Sequence, residues 1–167
     1  MEYQDIIIEQ QGAITIITLN RPASLNALTP LMIRELKNAL KNISTDTNCK
    51  VLILKGAGRA FSAGVDLKAM NESLVGGQFT SYEIIQEGNE IANILRMMPQ
   101  PAIVQVHGHC YTGATELMMF FDLIVACRRC KNRRHACQMG HHANLGNDAT
   151  IAKIGRYYES QRVIVYL

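Results

Sequence analysis

A chain of 167 residues that is 48% apolar, 19% charged and 6% aromatic, with 12 Gly and only 4 Pro, has the make-up of a folded domain, which excludes collagen-like and disordered classes. No run approaches the roughly 18 to 20 apolar residues of a membrane span, and Met1-Glu2-Tyr3-Gln4-Asp5 lacks the basic flank and apolar stretch of a secretory leader, so a cytoplasmic protein without a membrane partner is expected. The net charge of +3 divides unevenly: residues 1–126 carry 9 basic against 12 acidic side chains, and residues 127–167 carry 8 against 2.

In chain order, Ile6-Ile7-Ile8 and Ala13 to Leu19 are β-branched runs on either side of Gln10-Gln11-Gly12, which predicts a hairpin. Thr29-Pro30 is an N-cap followed by proline at the first helical position. Leu31, Ile33, Leu36, Ala39, Leu40 and Ile43 then recur at helical spacing. Val51 to Leu54 reads as a strand covered on both faces. A helix is expected to begin near Asp66, and another over Ser81 to Met97, stopped by Pro99 and Pro101. Ala102 to Val106 is the next buried strand, Thr112 to Phe121 the last helix, and Leu123 to Ala126 starts a further strand. Strands alternating with helices give an α/β architecture of repeated ββα or βα units. Residues 1–126 form its core.

Two small-residue loops follow apolar strands, where such sheets place ligands. One is Arg59 to Leu67, containing Ala63 and Gly64; the other is His107 to Glu116, containing Gly113. Two helix N-termini presenting free N–H groups can converge on one carbonyl oxygen and form an oxyanion hole. Glu116, one turn into the last helix, would then serve as general acid or base. On spacing alone, these glycines are equally ordinary strand-to-helix punctuation, and Glu116 a first-turn acid that complements the helix dipole. His107 and His109 read as loop packing, and Met118 to Phe121 as helix core or pocket wall.

Asn20-Arg21-Pro22 with Leu25-Asn26-Ala27-Leu28, then Ala60 to Leu67, then Gly108 to Leu117 resemble, in order and spacing, the crotonase (enoyl-CoA hydratase/isomerase) superfamily. The resemblance covers about residues 5–126. It implies a crotonase-like ββα spiral core, a thioester substrate carried on coenzyme A, and an enolate held by two backbone N–H groups. Residue by residue it implies Val65 and Gly113 as the donors and Glu116 as one of the two glutamates of the hydratases. Ala27, Leu28, Ala63, Gly64, Val65, Asp66, Leu67 and Lys68 fall along the coenzyme A channel. No metal and no cofactor beyond the substrate's own coenzyme A is implied, and the intact family assembles as a homotrimer or hexamer.

After Ala126 the pattern collapses into Cys127-Arg128-Arg129-Cys130 and, further on, Cys137 with His141 or His142. At face value these are zinc ligands among basic residues that can also meet nucleic-acid phosphates. The segment nevertheless starts in mid-strand, where an Arg pair would disrupt a core. Back-translated and read one base later, residues 127–166 can give a run resembling the family's next stretch. Met139-Gly140 must be ATG-GGN, which forces Trp in the shifted frame. The sequence is therefore expected to carry a frameshifted tail, leaving the core C-terminally incomplete and its activity impaired. A zinc- or nucleic-acid-binding module and a non-catalytic remnant are the rival readings.

Overall fold

The computed structural model describes residues 3–77, 80–126 and 164–166. Its strands are β1 (Ile6–Gln11), β2 (Ile14–Leu19), β3 (Val51–Gly56), β4 (Ala102–Val106), β5 (Leu123–Ala126) and β6 (Ile164–Tyr166). The helices are α1 (Pro30–Thr45), α2 (Leu67–Val75), α3 (Ser81–Met97) and α4 (Gly113–Met118), with a 3-10 turn at Pro22–Ser24. The strands form one sheet in sequence order. β1 and β2 are an antiparallel hairpin, and every later pairing is parallel. Parallel neighbours require a crossover, which the helices supply.

The hairpin closes where expected, through Gly12 at φ +61°. α1 opens as its sequence dictates: the Thr29 hydroxyl accepts the Met32 N–H at 2.9 Å, with Pro30 at the first position. Its stripe of Met32, Leu36, Ala39, Leu40 and Ile43 is buried against Ile17, Leu19, Leu52 and Leu54 of the sheet. α3 begins with a full capping box, Thr80 and Glu83 each bonding the other's backbone N–H. That bonding, first the backbone N–H of Thr80 and then its hydroxyl, holds the Glu83 carboxyl below its ordinary range.

Two expectations need correction. β3 is sealed on one face only: Leu52 and Leu54 are fully buried, whereas Val51 and Ile53 are half-buried, and β4 alternates in the same way. A short apolar run does not by itself distinguish a one-faced from a two-faced strand. The last helix is also shorter than its apolar run. After Met118 the chain tightens through Met119 N–H to Glu116 O, Phe120 N–H to Leu117 O and Phe121 N–H to Met118 O. Asp122 then turns it into β5, with its N–H on Ala102 O and its carboxylate on Ala102 N–H.

The Cys/His cluster of residues 127–142, and all of the tail expected to be frameshifted up to residue 163, lie outside the described residues. At the far end of that segment, Ile164-Val165-Tyr166 pairs with Ile124-Val125-Ala126 and extends the sheet, an element the sequence reading did not assign. Among the described residues, no helix is long and apolar enough to cross a membrane, and no group of three or more metal-ligating side chains is present.

Candidate functional site

The two glycine-containing loops run side by side in fixed register. Phe61 N–H donates to His107 O at 2.7 Å, Ser62 N–H to His109 O at 3.0 Å, and Tyr111 N–H to Ser62 O at 3.3 Å. A third segment joins them: Leu28 N–H donates to Gly64 O, and Asp66 N–H to Leu28 O, which makes Leu28 and Val65 a parallel bridge. Gly64 sits at φ +88°, and a Cβ there would run into the Thr112 hydroxyl and stand 2.5 Å from Tyr111 O. No other residue allows the loops this approach. Thr112 itself is held at φ +45°, ψ −120°, and directs the chain into α4.

This crossing brings Val65 and Gly113 together. A Cβ built on Gly113 would lie 4.0 Å from the Val65 nitrogen. Neither N–H donates a hydrogen bond to any described residue. Gly113 is the first residue of α4, whose early N–H groups have no intrahelical acceptor. Val65 differs from the expectation. It precedes the α2 cap, Asp66, so its N–H is left over from the bridge with Leu28 and is not part of a helix N-terminus.

Both residues open onto a cavity of about 310 Å³, walled by Leu28, Met32, Ile33 and Leu36, by Ile84, Ile85, Gly88 and Ile91 of α3, and by Leu117 and Phe120. Glu116 lines the same space. It is exposed, and its carboxylate has no hydrogen-bond or ionic partner among the described residues. Asn89 is the other polar side chain on the wall. The sequence reading missed it because an exposed Asn in a helix carries no signal of its own.

The expected coenzyme A residues separate into groups. Leu28 and Val65 line the cavity; Ala27, Ala63 and Gly64 lie in the strands of backbone that shape it. Leu67 and Lys68 are exposed on the first turn of α2, Lys68 reaching Glu72 at 3.9 Å. Asp66 has a structural task. Its Oδ1 caps α2 through Ala69 N–H at 3.1 Å, and its Oδ2 accepts from Arg21 Nη1 at 3.0 Å. The Ala69 N–H chiefly, and the Arg21 guanidinium next, outweigh its partial desolvation and hold the carboxyl below its ordinary range. A depressed carboxyl stabilises the fold above the unfolded pKa near 4 and ceases to do so as pH falls through the folded value. Asp66→Ala is therefore expected to cost about 1 kcal/mol, about 3 °C of melting temperature at pH 7. The gap between wild type and variant should narrow as pH falls below the unfolded value near 4 and close once the carboxyl is protonated in the folded chain as well, as a melting series across pH will reveal.

Asn26 and Ser62 hold the site from beneath. Asn26 is fully buried at φ +54°; its Oδ1 accepts the Arg21 N–H, and its Nδ2 donates to the carbonyls of Ala57, Ala60 and Phe61. Ser62 Oγ donates to Asn26 O at 2.7 Å and accepts the Gly64 N–H at 3.1 Å. Asn tolerates the left-handed backbone, and truncation leaves buried backbone groups unpaired. Asn26→Ala is expected to lower unfolding stability by about 3 kcal/mol in a urea titration. His107 and His109 do pack the loop, His107 Nε2 on Gly58 O and His109 Nδ1 on the Tyr111 hydroxyl.

Comparison with known proteins agrees with this fold. A family model described as enoyl-CoA hydratase/isomerase matches residues 9–164. A probable enoyl-CoA hydratase of Rhizobium meliloti is 32% identical over 154 residues, 92% of this chain and 58% of that protein. A mitochondrial 3-hydroxyisobutyryl-CoA hydrolase of Rattus norvegicus is 34% identical over 129 residues, 77% of this chain and 34% of the relative. Among solved structures, an enoyl-CoA hydratase/isomerase from Mycobacterium paratuberculosis superposes with a TM-score of 0.68 at 28% identity, over 74% of this chain and 49% of that one. The chain thus spans about half the length of the proteins it resembles. Its match to the family model over almost its whole length, and the fold it shares with these enzymes, make it a member of the enoyl-CoA hydratase/isomerase family within the crotonase superfamily.

Proposed function

We infer that the chain binds an acyl-CoA thioester with its carbonyl oxygen between the Val65 and Gly113 N–H groups, and that it hydrates a 2-enoyl-CoA or shifts its double bond. The observation that carries this reading is the pair of N–H groups, without a partner among the described residues, that opens onto one largely apolar cavity together with the Glu116 carboxylate, which likewise has none among them. When a nucleophile adds to the β-carbon, or a proton leaves the substrate, negative charge accumulates on the thioester oxygen. Fixed dipoles there bind the transition state better than the ground state. In hydration, Glu116 takes a proton as the water oxygen bonds to the β-carbon, then delivers a proton to the α-carbon of the enolate. In isomerisation it removes one proton and returns it elsewhere on the same allylic unit.

The reading needs neither metal nor redox cofactor. Ala27, Ala63, Leu67 and Lys68 are offered as the coenzyme A side of the site, and a homotrimer or hexamer as the working assembly. Its test is the loss of enoyl-thioester ultraviolet absorbance, or the formation of the isomer, when a short 2-enoyl-CoA is added to the purified chain. Calorimetric titration with butyryl-CoA tests binding separately. Absence of both turnover and binding sinks the reading.

A further inference from the structure

Gly88 stands in the interior of α3, seven residues after its first and nine before its last. Glycine there is unfavourable relative to alanine, because it loses more backbone freedom on folding. The usual reasons for retaining it are missing. Its φ is not positive, so no left-handed backbone demands it. A Cβ built on it meets no atom within 4 Å, so no close packing of another element demands it. What the position does is line the cavity, between Ile84 and Ile85 on one side and Asn89 and Ile91 on the other.

The rotation of α3 is held independently of Gly88. The preceding residue, Glu87, is buried against α1 and takes Arg34 Nε at 3.0 Å and Lys37 Nζ at 3.2 Å. Gly88 is thereby kept turned to the cavity. The polar groups that suit a thioester, the N–H donors and Glu116, come from the Val65 and Gly113 loops. Apart from Asn89, the remaining wall is apolar, formed by α1 and α3 with Leu28, Leu117 and Phe120, and an acyl chain extending from the thioester has that wall to run along.

We propose that Gly88 sets the acyl-chain length this site accepts, its missing side chain leaving room along α3 for methylenes beyond the reacting carbons. The proposal rests on the acyl-CoA reading above. Calorimetric titration of the chain with butyryl-CoA and decanoyl-CoA tests it. In Gly88→Leu the decanoyl-to-butyryl affinity ratio is expected to fall about fifteen-fold, the worth of two methylenes kept out of the cavity. Gly88→Ala, which fills less space and favours helix, is expected to melt about 2–4 °C higher than wild type. A leucine variant that changes both affinities equally, or neither, overturns the proposal. So does an alanine variant that melts lower, since the glycine would then be serving packing. Wild type that binds neither thioester would overturn the acyl-CoA reading itself, an outcome distinct from binding without length discrimination.

Discussion

Glu116→Gln is expected to reduce kcat on a short 2-enoyl-CoA by about two to four orders of magnitude, the usual worth of a positioned general acid–base. Its effect on binding should be small. The amide keeps the size of the carboxylate, and the Glu116 carboxylate makes no hydrogen bond or ion pair with a described residue whose loss would disturb the fold. Steady-state rates and butyryl-CoA affinity, measured on the same preparations, separate the two effects. A drop in rate with unchanged affinity assigns the proton to Glu116. An unchanged rate removes it from the chemistry and leaves it as a first-turn acid stabilising α4.

Gly64→Ala is expected to damage both the fold and the site. The added methyl collides with the Thr112 hydroxyl and the Tyr111 carbonyl, and the backbone at φ +88° is one that alanine resists. Relief requires the two loops to part, which moves Val65 away from Gly113. Loss of one oxyanion donor alone lowers kcat by about 10² to 10³. The variant should therefore melt well below wild type and, where folded, turn over at least that much more slowly. Combining it with Thr112→Gly removes the hydroxyl clash but leaves the Tyr111 carbonyl in the way, so stability should recover in part while the rate does not. Full recovery of both would show that the loop approach at Gly64 does not govern the donor geometry.

Much of this was legible in the residues. Thr29-Pro30 begins one helix and Pro99 and Pro101 stop another for local reasons, and α1 and α3 occur where those signals put them. The loop motifs carried the family resemblance and, with it, Val65, Gly113 and Glu116. Asp66, which the resemblance sets along the coenzyme A channel, also has a task the sequence did not show: its carboxylate is taken up by Ala69 and by Arg21, which is 45 residues away. Asn26 belonged to a quoted motif without a task, because its task is set by the carbonyls of Ala57, Ala60 and Phe61 across the fold.

The sequence by itself determined the local order of strand, turn and helix, since caps, prolines and hydrophobic period act over a few residues. It also determined the supply of small residues at the two loops. Only the tertiary structure decided that these loops lie in register, that the Val65 N–H is one left over from the bridge with Leu28 and not a helix-terminal one, and that Gly88 looks into the same cavity as Glu116. Those facts depend on parallel strands bringing segments tens of residues apart into hydrogen-bonding distance, and no local propensity encodes which atoms are left unpaired when they meet.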